Sequence, residues 1–165
     1  MTSIIATSDG GFLLGGVSYS PVSGNKTATK YGGDLYDDSW VVKINANGDK
    51  VWDKSFGGSD YNDISSMIAT SDGGFLLGGT SDSPVSGNKT AINYGNPDYW
   101  VVKINANGDR VWDKSFGGTF DDRMTSIIAT SDGGFLLGGY SVSLVSGNKT
   151  ATNYGVYNYW VVKIK

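Results

Sequence analysis

Hydrophobic and polar residues alternate in short runs along the whole chain, a pattern that is typical of β-strands. In the run 40–44, Trp40, Val42 and Ile44 would face one side of a strand, and the residues between them would face the other. Turn signals rich in Gly, Asn and Asp separate the runs. Four strands are therefore predicted in the first part of the chain, at residues 3–6, 12–15, 40–44 and 51–56.

These strands belong to an internal repeat. The segment SIIATSDGGFLLGG, which begins at Ser3, recurs from Ser66 with one substitution and from Ser126 unchanged. Copies of the strand Trp-Val-Val-Lys-Ile lie 60 residues apart. One domain, residues 1–165, is predicted, with repeat units at about 3–58, 66–118 and 126–165. The third unit contains no counterpart of the fourth strand.

The repeat unit resembles the four-stranded blade of a β-propeller of the WD type, with an Asp-Gly turn between the first two strands and an aromatic residue in the third. Its motifs are similar to those of bacterial, often secreted, repeat propellers. They are SDGGF at 71–75, DYWVVKI at 98–104, ANG at 106–108 and WDKSFGG at 112–118. The resemblance implies an all-β propeller of four-stranded antiparallel blades and a secreted or cell-surface bacterial parent, although the chain has no signal peptide.

Propellers usually close with four to eight blades, so three blades would leave two apolar blade faces uncovered. Two copies arranged head to tail would complete a six-bladed ring with twofold symmetry. We therefore expect a homodimer, whose interface would include Ile4, Ile5, Trp160, Val161, Val162 and Ile164. The chain could instead be a segment of a larger propeller, and the close similarity of its units also fits a designed or fragment-derived repeat protein.

Composition removes many chemistries. The chain contains no Cys, His, Glu or Gln, and all 16 acidic residues are Asp. Disulfides, thiolate nucleophiles, Cys/His zinc sites and His-dependent catalysis are therefore excluded. The net charge of −3 argues against a nucleic-acid partner, and no apolar run is long enough to span a bilayer. We expect no cofactor, no metal site, no membrane insertion, and a second copy of the chain as the main partner.

The long loops that join the second strand to the third and the fourth strand to the next unit are where a ligand site is predicted. In an antiparallel blade these loops share one end, and their Tyr and Asn side chains suit a glycan or a peptide. The alternative is that the loops fill gaps between blades. The candidate ligand-binding residues are Tyr31, Asn88, Tyr94, Asn148 and Tyr154, together with Asp60, Asp63, Asp121 and Asp122.

Other motifs have structural interpretations. Asn25-Lys26-Thr27 and its two copies match the N-glycosylation sequon, but Gly-Asn more commonly forms a turn. Hydrolysis of glycosides by two carboxylates is the one enzymatic route that the composition leaves open. Most of the acids recur in every unit, which indicates a structural role. We therefore predict no catalytic residue and a non-catalytic propeller that acts as a scaffold or interaction module; the alternatives are a carbohydrate-binding propeller and a propeller glycosidase.

Overall fold

All regular secondary structure in the chain is β-strand. A computed structural model describes residues 1–165 as eleven strands in three antiparallel sheets. Sheet 1 consists of β1 (Ser3–Ala6), β2 (Phe12–Ser18), β3 (Asp38–Ile44) and β4 (Lys50–Phe56). Sheet 2 consists of β5 (Ser66–Ala69), β6 (Phe75–Ser81), β7 (Asp98–Ile104) and β8 (Arg110–Phe116). Sheet 3 consists of β9 (Asp122–Ala129), β10 (Phe135–Ser141) and β11 (Asn158–Ile164).

Neighbours in each sheet are neighbours along the chain, so the sheets are simple meanders. The all-β prediction is confirmed, and so is the repetition of antiparallel sheets with three strands in the last one. The arrangement is compatible with propeller blades, but the three sheets do not close into a ring within one chain.

Glycines with positive φ make the predicted turns. Gly10, between β1 and β2, has φ 82°, and Gly48, between β3 and β4, has φ 88°. The Asp9 carboxylate accepts a bond from the Gly11 N–H at 3.1 Å and lies 2.8 Å from the Lys43 ammonium. Because the backbone needs positive φ at these positions, a residue with a side chain would strain both turns.

Strand β1 has the predicted bounds, whereas β2, β3 and β4 are longer than the sequence predicted. β2 continues through Gly15 and Gly16, which pair with Val41 and Trp40 of β3. Glycine is a poor strand former, but here it permits close packing, since a side chain at Gly15 would collide with the Met67 sulfur at 2.6 Å. β9 also begins earlier than its counterparts, and its register shifts beside Gly138 and Gly139.

Sheet 2 lies between the other two sheets and is covered on both faces. One buried cluster joins sheets 1 and 2, and its members are Leu13, Val41, Phe56, Ile64, Met67, Phe75, Leu77, Trp100, Val102 and Ile104. A second cluster joins sheets 2 and 3, and its members are Leu76, Tyr99, Val101, Met124, Ile127, Leu137, Trp160 and Ile164. The outer faces of sheets 1 and 3 have no such cover.

In sheet 1 and again in sheet 2, a buried aspartate in the outermost strand binds the long loop of the same sheet. In sheet 1 the Asp53 side chain is fully buried and accepts bonds from the N–H groups of Thr27 and Ala28 at 2.9 Å. It also accepts from Trp40 Nε1 at 3.0 Å and from the Lys50 ammonium at 2.8 Å. Asp113 repeats this arrangement in sheet 2 with Thr90, Ala91, Trp100 and Arg110.

Burial alone would raise the pKa of Asp53, but the bonds from Lys50, Thr27 and Trp40 outweigh it and hold the pKa well below its usual value. A carboxyl whose folded-state pKa is lowered stabilises the fold fully above its unfolded-state pKa, near 3.9. That contribution is lost as the pH falls through the folded-state pKa.

We expect Asp53→Asn to lower the free energy of unfolding by about 2–4 kcal/mol at pH 7, because the amide leaves buried donors without an acceptor. Urea denaturation would measure the change. The matched control is Asp34→Asn, at an exposed loop position, which should change stability by less than about 0.5 kcal/mol. Equal stability of the Asp53 variant and the parent chain would contradict the role of this carboxylate.

Candidate functional site

The long loops lie together at one end of the sheets, opposite the tight turns, as the antiparallel order requires. Their tyrosines have different surroundings. Tyr31 and Tyr94 are half-buried, and each packs on a glycine of the next sheet: a side chain at Gly87 or at Gly147 would lie 2.9 Å from the tyrosine Cβ. Tyr154 has no following sheet to contact and is 90% exposed.

Two of the candidate asparagines join neighbouring sheets. Asn88 accepts a bond from the Gly57 N–H and donates one to the Ser55 carbonyl, both at 2.9 Å. Asn148 makes the same two bonds, also at 2.9 Å, from sheet 3 to Gly117 and Ser115. These amides therefore connect sheets.

The adjacent lysine is also structural. The Lys89 ammonium is buried and donates to the carbonyl oxygens of Ser83 at 2.8 Å and Ala91 at 2.9 Å. Burial lowers the pKa of Lys89 to about 8, although the charges of Asp98 and Asp113 oppose the shift. In the Asn-Lys-Thr motif, the lysine thus binds carbonyl groups of its own loop, and the asparagine joins the loop to the preceding sheet.

Each of the four candidate acids already has a hydrogen-bond or ion-pair partner within the chain. Burial raises the pKa of Asp63, which accepts a bond from the Thr80 N–H at 2.7 Å. Asp121 pairs with Arg123 at 3.4 Å, and Asp60 accepts a bond from Ser59 Oγ at 3.0 Å. Asp122 is not in a loop but in β9, and it is fully buried. No group of three or more acidic side chains is arranged to hold a metal ion.

A polar cleft of about 400 Å³ lies between the outer edges of sheets 1 and 2. It brings together two of the candidate ligand residues, Tyr31 and Asn88, and the other seven lie outside it. Charged side chains from both sheets form its rim, including a Lys54–Asp109 ion pair at 3.2 Å. The remaining lining residues are Thr27, Ala28, Thr29, Asp53, Ser55, Phe56, Gly108 and Arg110.

The uncovered side of sheet 1, here called the first open face, consists of Met1, Ile4, Leu14, Trp40 and Val42. The exposed fraction is 78% for Met1 and 54% for Ile4. The same repeat positions in sheet 2 are buried against sheet 1, and they are Ile64, Met67, Leu77, Trp100 and Val102. The first open face therefore matches a surface that is covered elsewhere in the chain.

The uncovered side of sheet 3, here called the second open face, consists of Ile128, Leu136, Tyr159 and Val161. Tyr159 is 98% exposed, whereas its counterpart Tyr99 is fully buried. The other counterparts in sheet 2 pack against sheet 3, and they are Ile68, Leu76 and Val101. The two open faces are thus the two sides of one repeated contact.

The predicted interface residues divide between covered and open surfaces. Trp160 and Ile164 are buried against sheet 2, and Val162 packs beside them, so the expectation that they lie on an open face does not hold. Ile5 likewise packs against the cluster between sheets 1 and 2. Side chains alternate along a strand, and this leaves Ile4 and Val161 on the open faces.

A buried pair of carboxyl groups, which the sequence analysis missed, lies between sheets 2 and 3. Asp98 and Asp122 are fully buried. An oxygen of each lies beside the position that a side chain at Gly117 would occupy, at 2.9 Å for Asp122 and closer for Asp98. One oxygen of each, Oδ1, has no hydrogen-bond partner. Asn62 replaces the second acid at the equivalent junction between sheets 1 and 2, beside Asp38. Asn62 and Asp122 occupy the same position of the repeat, and this change from an amide to an acid is the sequence signal that could have revealed the pair.

Burial is the main cause that raises the pKa of Asp98, to about 7, and the charges of Asp122 and Asp82 raise it further. The bond from the Tyr94 N–H and the charge of Lys89 oppose the shift. Proton uptake at Asp98 removes its charge from a water-poor site and from the neighbourhood of the Asp122 charge.

No family model matches the chain, and no curated protein matches it. The structure contains no helix of sufficient length and apolar character to cross a membrane.

We expect the free energy of unfolding to fall as the pH rises from about 4 to about 7, because the folded state binds a proton at Asp98 that the unfolded state has released. Asp122→Asn recreates the pairing at the first junction and should reduce this decline. Denaturation at a series of pH values would measure it, with Asp34→Asn as the control that retains the decline. A parent chain whose stability is constant over this range would refute the raised pKa of Asp98.

Proposed function

We propose that the chain is a non-catalytic β-propeller module that binds a second copy of itself through its two open faces. Each sheet then serves as a blade, and two chains joined head to tail complete a six-bladed ring. The observation that carries the proposal is the exposure of Tyr159, 98%, against 0% for Tyr99 at the same repeat position.

The covered junction supplies a template for the proposed contact. The Tyr99 hydroxyl donates to the Trp160 carbonyl at 3.0 Å, and the two rings lie 4.8 Å apart. In the dimer, Tyr159 of one chain would make the same contacts with Trp40 of the other. Buried tyrosines of this kind need a partner for the hydroxyl, and the Trp40 carbonyl provides it.

The loop ends support the same direction of docking. Tyr31 and Tyr94 each pack on a glycine of the next sheet, and Tyr154 is the unpartnered member of this series. Gly24 is the unpartnered glycine, since nothing lies within 4 Å of its side-chain position. Head-to-tail docking would place Tyr154 on Gly24, so both unpaired positions are satisfied together.

The energetics favour an association that depends on concentration. Burying a large apolar side chain contributes about 1.5–3 kcal/mol, so Met1, Ile4, Tyr159 and Val161 together contribute on the order of 10 kcal/mol at each junction. The cost of association is about 4–15 kcal/mol. Because these magnitudes are similar, a single junction stabilises a pair of chains only weakly. A closed ring of two chains forms two junctions for one association cost, so it is more favourable than an open pair that forms one.

The charges of the cleft support the absence of catalysis. Asp53 and Asp109 are the two carboxylates that line it, and general acid catalysis of glycoside hydrolysis needs one protonated carboxyl. Bonds from Lys50 and others hold the pKa of Asp53 below its usual value despite its burial, and Lys54 lowers the pKa of Asp109. Neither group is protonated near neutral pH. The resemblance to bacterial, often secreted, propellers agrees with a scaffold or interaction module.

Light scattering over a range of concentrations tests the self-association. The mass of the parent chain should rise from 17.5 kDa towards twice that value. Tyr159→Ser removes the ring that would cover Trp40 and should keep the mass at that of one chain. Tyr36→Ser, which changes an exposed loop tyrosine, serves as the matched control and should associate like the parent. A parent chain that remains a monomer at every concentration, with cooperative unfolding, would overturn the proposal.

A second candidate function is glycan binding in the cleft, which combines a tyrosine, an asparagine and an ion pair in a space suited to a small polar ligand. A glycan array should then give reproducible binding that Lys54→Ala reduces. Lys114→Ala is the matched control, because it changes the same repeat position in sheet 2, outside the cleft. Binding that both variants reduce equally, or that neither affects, would contradict a ligand site in the cleft.

A further inference from the structure

Sheet 3 contains a set of hydrogen-bond donors without an acceptor. In sheet 2 the Asp113 carboxylate accepts bonds from the N–H groups of Thr90 and Ala91, from the Thr90 hydroxyl and from Trp100 Nε1. The same four donors are present in sheet 3, at Thr150, Ala151 and Trp160, and none of them has an acceptor within the chain. Four convergent donors of this kind select a carboxylate.

The neighbouring backbone is also unpaired. β11 (Asn158–Ile164) pairs with β10 alone, so its outer edge presents free N–H and carbonyl groups along a seven-residue strand. The equivalent edges of β3 and β7 pair with β4 and β8. No proline and no bulge interrupts β11, and an uninterrupted edge is a template for another strand.

We propose that the outer edge of β11 is a binding site for an extended peptide strand that carries a Trp-Asp pair, of the kind Trp-Asp-Lys-Ser-Phe. The peptide adds antiparallel to β11 as the fourth strand of sheet 3. The partner is a segment separate from the folded sheets, because β4 and β8 are already paired within their own sheets. This site is distinct from the open faces and goes beyond the proposed self-association.

The register follows from sheet 2, where Val102 pairs with Asp113, Lys103 with Trp112 and Tyr99 with Phe116. The aspartate of the peptide would therefore lie opposite Val162, its tryptophan opposite Lys163 and its phenylalanine opposite Tyr159. The aspartate faces the four donors and sets the register. Its charge-assisted bonds supply specificity, and the backbone ladder supplies sequence-independent affinity.

The aromatic residues of the peptide face the opposite side. In sheet 2, Trp112 and Phe116 pack against the cluster that joins sheets 2 and 3. On sheet 3, the corresponding residues of a bound peptide would widen the second open face beside Tyr159 and Val161. Peptide binding and self-association would then strengthen one another, but either can occur without the other.

The test uses the 165-residue chain and a fluorescent peptide with the sequence of residues 109–118, DRVWDKSFGG, measured by fluorescence anisotropy. We expect saturable binding of one peptide per chain, and hydrogen exchange should slow in β11. The peptide with Asp113→Asn should bind roughly tenfold more weakly, because a charge-assisted bond contributes about 1.5–3 kcal/mol. A peptide with the order of Trp and Asp exchanged should bind more weakly still.

Two chain variants test the assigned contact. Trp160→Phe removes the Nε1 donor. It should weaken binding of the parent peptide more than binding of the peptide with Asp113→Asn, so that the effects of the two changes on affinity are not additive. Trp100→Phe is the matched control: its donor is already bonded to Asp113, and the residue lies outside both open faces, so peptide binding should not change. Equal affinity for the Asp and Asn peptides, or no saturable binding, would overturn the proposal.

The outcome is separable from ring closure. Ile4→Ser changes the first open face, on sheet 1, and leaves all of sheet 3 unchanged. That variant should therefore bind the peptide in dilute solution, where it is expected to be a monomer. Peptide binding without self-association would refute the dimer alone. Self-association without peptide binding would refute the strand site alone.

Discussion

One buried negative charge organises each of the first two sheets. The carboxylate of Asp53 or Asp113 contacts the long loop, the third strand through its tryptophan, and a cation on its own strand. A buried carboxylate without these partners would cost several kcal/mol, so the loop and the outer strand must order together. Sheet 3 has the loop and the tryptophan but no such carboxylate, so the corresponding donors have no acceptor within the chain.

The same residue types have different surroundings in the three repeats, and the differences come from neighbours rather than from local sequence. Tyr99 and Tyr159 occupy equivalent strand positions, and one is buried only because a sheet follows it. Asn88 and Asn148 connect sheets because a preceding outer strand is present at each. The contact that is made twice within the chain thus leaves its two complementary sides exposed, one on sheet 1 and one on sheet 3.

The sequence predicted the strands where alternation and turn glycines agree, as in β1 and in the hairpin between β3 and β4. It placed the end of β2 too early, because Gly15 and Gly16 are weak strand formers and are favoured here by close packing against another sheet. It could not decide which side of β11 is open, since both Trp160 and Val161 are apolar and alternation alone does not identify the covered side. The cleft and the buried acid pair depend on contacts between sheets, which no single repeat contains.

Every junction in the chain is made by residues of two adjacent repeats, with an asparagine contributed by the later one. Duplication of a repeat would therefore add one complete junction and disturb none of the others, as in linear repeat arrays. The angle between successive sheets would then set the direction in which each further unit is added. Gene duplication would then lengthen the protein through contacts that the chain already makes twice.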